Sequence, residues 1–180
     1  MGEVEFEANG GTAKGYLAEP DEEGPGVIVI HEWWGLDDSM RRMCDRFAAE
    51  GFVALAPDLY DGDTTTQPDE AQQKLMALNM DKAVKQMRGA VKTVLDNPKC
   101  NGQIGSVGFC AGGGLAVWAA AETPEIGAAV TYYYVMPHGK PDFSQINGPV
   151  LGHFGTDDDF ISVDDAKALE SAGADALLLE

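Results

Sequence analysis

Ile104-Gly-Ser-Val-Gly-Phe-Cys-Ala-Gly-Gly-Gly114 is the stretch on which the reading of this chain turns. Ile104 to Phe109 is short and largely apolar, as a strand is, and Gly112 to Ala121 has the composition of a helix. Between them, Gly108-x-Cys110-x-Gly112 takes the form of a G-x-S-x-G elbow with cysteine at its centre. The residue at the tip of so sharp a turn is strained, and glycines two before and two after it remove the Cβ clashes. The turn would set Cys110 at a helix N-terminus, where unpaired N–H groups and the helix dipole favour thiolate. It would also aim the Ala111 N–H at a developing oxyanion. A structural cysteine beside a glycine-rich turn fits the bare pattern too; the strand–turn–helix context is what favours a nucleophile. Cys44, on an amphipathic helix face, reads as core, and Cys100, in the turn Asn97-Pro-Lys-Cys-Asn-Gly102, as inert.

Outward from the elbow, strand-like runs alternate with helical periods. Gly26-Val-Ile-Val-Ile-His31 is a continuous β-branched run, typical of a strand covered on both faces. Val4 to Phe6 and Ala13 to Leu17 precede it as short strands joined at Gly10-Gly11, and Phe52 to Ala56 follows as a strand closed by Pro57. Met40, Met43, Cys44, Phe47 and Ala48 share one helix face, with Asp37, Asp38 or Ser39 as cap and Gly51 at the C′ position. Residues 61–70 are polar and turn-rich, and are expected to form a surface loop that could share in a lid. Met80, Val84, Met87, Val91, Val94 and Leu95 recur by threes and fours in the clearest helix, ended by Pro98 and Gly102. Ala128 to Tyr134, Val150 to Phe154 and Ala174 to Leu179 read as strands, with a short helix begun by Ser162-x-x-Asp165 and closed by Gly173. Such alternation predicts an α/β fold with a mostly parallel sheet and functional groups at the carboxyl ends of the strands.

Thirty Asp and Glu against 12 Lys and Arg give a formal net charge of −18. That excess argues against nucleic acid and against an anionic membrane surface. No run reaches the roughly 18 apolar residues of a membrane span, and the acidic, alternating N-terminus is neither a signal nor a transit peptide. An odd cysteine count without CxxC spacing supports neither a disulfide framework nor a zinc site. A soluble cytoplasmic protein of one domain is expected, its oligomeric state left open by the sequence.

Val107-Gly-Phe-Cys-Ala-Gly-Gly113 together with His31-Glu-Trp-Trp-Gly-Leu36 resembles the dienelactone hydrolase family of α/β-hydrolases. Phe47 to Tyr60 is similar to that family's next signature, and Phe154 to Ile161 to its acid loop, all in order along the chain. The resemblance implies an α/β-hydrolase fold with helices on both faces of the sheet. It implies hydrolysis of small carboxylic esters or lactones by a cysteine nucleophile, with neither cofactor nor metal. Carried over by motif, Cys110 is the nucleophile and Asp158, within Gly155-Thr-Asp-Asp-Asp159, the triad acid. Glu32 is the carboxylate that takes the thiol proton when substrate arrives. The Trp33 N–H is the second oxyanion donor beside Ala111.

The same resemblance implies a triad histidine beyond the strand that follows the acid-loop helix, and a last helix over the sheet. Here that strand begins near Ala174 and the sequence stops at Glu180, so the domain spanning 1–180 is expected to be C-terminally incomplete and to leave one flank of the sheet uncovered. His31 and His153 are expected to be structural, which leaves His138 as the candidate surrogate base. Family members that act on anionic lactones hold the carboxylate with arginine. This chain has none between Arg46 and Arg88 and none after it, so a generic small ester or lactone is expected. The alternative is a non-catalytic binding or regulatory domain with an incomplete triad.

Overall fold

The β-branched run becomes β3 (Gly24–Ile30), whose residues Val27 to Ile30 are buried on both faces of a sheet. The computed structural model describes residues 1–133, 138–159, 161–171 and 175–179. Around β3 the order is β1 (Gly2–Glu7), β2 (Thr12–Ala18), α1 (Asp38–Ala49) after β3, β4 (Val53–Pro57), α2 (Pro68–Ala77), α3 (Met80–Leu95) and β5 (Cys100–Phe109). There follow α4 (Ala111–Glu122), β6 (Ala128–Tyr132), a 3₁₀ turn at Phe143–Gln145, β7 (Val150–Gly155), α5 (Val163–Ser171) and β8 (Asp175–Leu179). The strands join in one sheet in the order β1-β2-β4-β3-β5-β6-β7-β8. All neighbours from β4 to β8 pair in parallel, and β2 alone runs against both of its neighbours. This is the α/β architecture the alternation predicted, with Ile30 registered opposite Gly108 so that the ends of β3 and β5 meet.

Alternation along β3 sends side chains to two core layers. Ile28 and Ile30 pack with Met87, Val91 and Val94 of α3 and with Leu115 and Val117 of α4. Val27 and Val29 face Met40, Cys44 and Ala48 of α1. Full burial of such side chains is worth about 1.5–3 kcal/mol each. Asp37 caps α1, its carboxylate accepting the N–H groups of Ser39 at 2.9 Å and Met40 at 3.0 Å. Gly51 follows the helix at φ +92°, the left-handed position expected of a C′ glycine.

The two faces are covered unequally among the described residues. On the α1 side, an open groove of about 960 Å³ runs over β5 and β6, lined by Phe47, Phe52, Val107, Phe109, Val130 and Tyr132. Phe109, Tyr132 and His153 stack in a row across β5, β6 and β7, with centroids 4.9 and 4.5 Å apart.

One expectation needs correcting. Residues 61–70 are not all loop, because α2 starts at Pro68. Proline at the first helical position and acids in the first turn are helix-start signals, and Ala71 and Leu75, four apart, are its buried residues. The preceding loop is tied down by ion pairs of Asp61 with Lys82 and Asp63 with Lys74. The strand expected to run to Tyr134 ends at Tyr132. Tyr134, Gly173, Ala174 and Glu180 lie outside the described residues.

Candidate active site

Cys110 sits between β5 and α4 at φ 57° and ψ −122°, a conformation that L-residues avoid. It is the N-cap residue of α4, yet its side chain makes no capping bond. The elbow glycines are required by close approach. A Cβ on Gly108 would lie 1.9 Å from the Gly112 carbonyl oxygen, and one on Gly112 would lie 2.4 Å from that of Ile30. The turn is fixed by the Cys110 N–H, which donates to Tyr132 O at 3.2 Å, and by the Gly113 N–H, which donates to Cys110 O at 3.0 Å.

Burial pushes the Cys110 thiol above its ordinary pKa. Hydrogen bonds from the Ala111 N–H and the Tyr133 hydroxyl pull it back, while the negative charges of Glu32 and Asp158 push it up. Glu32 and Asp158, both named from the sequence, are therefore in electrostatic reach of the Cys110 sulfur, with Ala111 next to it in the chain. Glu32, half-buried just past the end of β3, has its carboxyl raised by burial and by Asp37. Of the three acids in a row after β7, Asp157 and Asp159 are exposed and Asp158 is half-buried, its Oδ1 accepting the Ile161 N–H at 3.0 Å. Trp33 follows Glu32 and packs edge-to-face on Trp34, with centroids 5.0 Å apart. Cys44 is the opposite case: fully buried against α1's own face of the sheet, its thiol is pushed up to about 12 by desolvation. Cys100 is half-buried and turns its sulfur toward Gln103 O at 3.8 Å.

His31 and His138 have backbone partners, and His153 has a stacked ring. His31 is 1% exposed. Its Nε2 accepts the Leu59 N–H at 3.2 Å, which leaves Nδ1–H to donate to Glu32 O at 2.7 Å. Burial lowers its pKa, so the ring is a neutral brace between the ends of β3 and β4. His153 stacks on Tyr132. His138, the candidate surrogate base, gives its Nε2–H to the Leu75 carbonyl of α2 at 2.7 Å. That nitrogen is already occupied by a backbone acceptor.

Two tyrosines that the motifs did not single out also feel the charge of the sulfur. Tyr60 and Tyr133 both have hydroxyls pushed up to about 12, by burial first and then by the neighbouring Cys110. Tyr60 stands in a quoted motif at the end of β4. Tyr133 lies at the carboxyl end of β6, where functional groups gather, but the run Tyr132-Tyr-Tyr134 gives no sign of which ring turns inward.

The profile of the dienelactone hydrolase family matches residues 13–177. The chain belongs to the dienelactone hydrolase family. Protein usf of Aquifex pyrophilus is 38% identical to it over 188 residues, covering 96% of this chain and 80% of that protein. The carboxymethylenebutenolidase of Pseudomonas putida is 28% identical over 165 residues, covering 86% and 70%. Among solved structures, a dienelactone hydrolase-like phosphotriesterase from metagenomic libraries superposes with a TM-score of 0.83 over 98% of this chain and 79% of its own, at 22% identity. That likeness shows the shared α/β-hydrolase fold, and family membership makes this dienelactone hydrolase relative a hydrolase of that type. Among the described residues, no helix is long and apolar enough to cross a membrane, and no three His, Cys, Asp or Glu side chains group as a metal site would need.

Proposed function

We propose that this chain attacks small uncharged carboxylic esters or lactones through Cys110. The observation that carries the reading is the strained Cys110 at the N-terminus of α4, with Glu32 and Asp158 in electrostatic reach of its sulfur. At rest the thiol is neutral. Glu32, its carboxyl basicity raised by burial, takes the thiol proton as substrate arrives, and the thiolate attacks the carbonyl carbon. The Ala111 and Trp33 N–H groups hold the developing oxyanion, and the alcohol leaves with the proton that came from sulfur. The thioester then needs activated water. Asp158 is suited to orient a histidine for that step; His31 is held by backbone at both ring nitrogens, His138 Nε2 is on the Leu75 carbonyl, and His153 stacks on Tyr132. Acylation is therefore expected to outrun deacylation in these 180 residues.

The uncharged substrate follows from the cations. Arg41, Arg42 and Arg46 lie on α1, and Arg88 is paired with Glu122 at 2.9 Å. None is among the groups acting on the thiol, whose charged neighbours are both carboxylates. A carboxylate on the substrate would meet repulsion without a bidentate partner. Mixing the protein with 4-nitrophenyl acetate should release about one equivalent of nitrophenol in a burst, with acetyl found on Cys110. No burst, or acetyl on Cys44 or Cys100, would overturn the nucleophile and favour a binding domain.

A further inference from the structure

We infer that His31 is a positioning residue for the oxyanion hole: its Nδ1–H fixes the peptide plane from which the Trp33 N–H points. The inference deepens the reading of Cys110 as nucleophile and of Trp33 as an oxyanion donor, and it rests on that reading. The ring has a single assignment. A backbone N–H can only donate, so the Leu59 N–H at 3.2 Å makes Nε2 the acceptor. The proton of the neutral ring then sits on Nδ1, which donates to Glu32 O at 2.7 Å. Glu32 O and the Trp33 N–H belong to one planar trans peptide, so they point in opposite directions and holding the carbonyl aims the N–H. The same carbonyl accepts the Gly35 N–H at 3.3 Å, closing a turn with Trp33 and Trp34 at its corner. Two donors on one carbonyl polarise its peptide and strengthen the N–H at the other end. Among the described residues, the Trp33 N–H itself donates to no group of the protein.

The brace is anchored on every side. Leu59 follows Asp58, whose N–H donates to Lys14 O of β2 at 2.8 Å and whose carbonyl accepts Gln86 Nε2 of α3 at 3.0 Å. The His31 ring meets the Tyr60 ring edge-on, with centroids 4.9 Å apart. The His31 carbonyl lies against the elbow, where a Cβ on Gly112 would sit 2.5 Å from its oxygen. On the far side of the turn, the Thr65 N–H donates to Trp34 O at 3.1 Å, and a Cβ on Gly35 would sit 2.5 Å from Asp63 O. One buried residue thus touches the elbow through its backbone and the tryptophan turn through its side chain. The direction of the Trp33 N–H relative to Cys110 is set through it, and an oxyanion donor contributes only when it is fixed in advance on the place where charge develops.

The test compares two rates at Cys110, with adducts mapped by peptide: acylation by 4-nitrophenyl acetate, which builds an oxyanion, and alkylation by iodoacetamide, which does not. Both are measured on the high-pH plateau of alkylation, where the sulfur is already ionised and Glu32 has no proton to take. His31→Gln keeps an acceptor for the Leu59 N–H but has no donor where Nδ1 stood, and its ratio of acylation to alkylation should fall about tenfold or more. His31→Asn does the reverse, restoring an amide N–H at the Nδ1 position, and should bring the ratio back to within about threefold of wild type. A ratio unmoved in folded His31→Gln, or an equal loss in both variants, overturns the inference and leaves His31 a structural brace only. Should neither variant fold, nitrogen NMR of the wild-type histidines decides: His31 should carry its proton on Nδ1, and a proton on Nε2 overturns the inference. If wild-type adducts fall on Cys44 or Cys100, the nucleophile itself is wrong; if they fall on Cys110 while the ratio ignores the donor at position 31, the role of His31 alone fails.

Discussion

Two helices in this molecule begin in opposite ways. At α1, Asp37 has extended backbone and spends its carboxylate on two of the helix's own N–H groups. At α4, Cys110 has φ 57°, makes no cap bond, and is followed by no acid in the first turn. The first arrangement satisfies orphan donors and adds stability. The second leaves donors facing outward and costs of order 1–3 kcal/mol in backbone strain. A helix start that breaks the capping rules while its neighbour obeys them is marked for contact with something other than its own chain.

The contrast can be broken most severely at the elbow. Gly108→Val would drive a side chain into the Gly112 carbonyl and should cost more than about 4 kcal/mol, or prevent folding; urea denaturation measures it. Cys110→Gly should remove the nitrophenol burst completely yet raise stability by about 1 kcal/mol, by releasing strain that Asp37 never incurs. A stability loss there would mean the elbow is not strained. Glu32→Gln separates proton transfer from thiol activation. Removing its charge lowers the thiol pKa, so alkylation at pH 7 should speed up by about threefold while the ester burst slows.

Glu32 also carries a pH signature. Its native carboxyl titrates above the ordinary value, so the native state binds that proton more tightly than the unfolded chain. Its contribution favours folding at acid pH and is lost as the pH rises through the native value. Glu32→Gln should therefore gain in melting temperature relative to wild type from pH 4 to 8, not the reverse. The smallest effect is expected at the obedient helix: Asp37→Ala should lose about 1 kcal/mol in denaturant melts, with Cys110 still the thiol that labels.

The eight strands were legible because their apolar runs are bounded by turn residues, and β3 could only be a buried strand. What escaped was α2. Its buried residues are Ala71 and Leu75 in an otherwise polar stretch, so periodicity had little to work on and the proline-plus-acid start was the usable signal. The miss carried over into His138, whose partner is a carbonyl of that unforeseen helix. Cys110, Glu32 and Asp158 were named through motif resemblance, and the parallel register that sets Ile30 opposite Gly108 explains why such distant residues meet. Tyr133 went unremarked because its left-handed backbone, at φ 41°, is held by His153, Thr131 and the close approach of Gly113, contacts that no local pattern announces.

The tryptophan pair has an optical consequence. Of the three tryptophans in the chain, Trp33 and Trp34 stand directly after Glu32 with their rings in contact, while Trp118 lies along α4. Indole emission shifts with the local field and with wetting, and two of the three native fluorophores are chain neighbours of Glu32. A change in ionisation at Glu32 is therefore expected to show as a shift in the emission of the unlabelled protein.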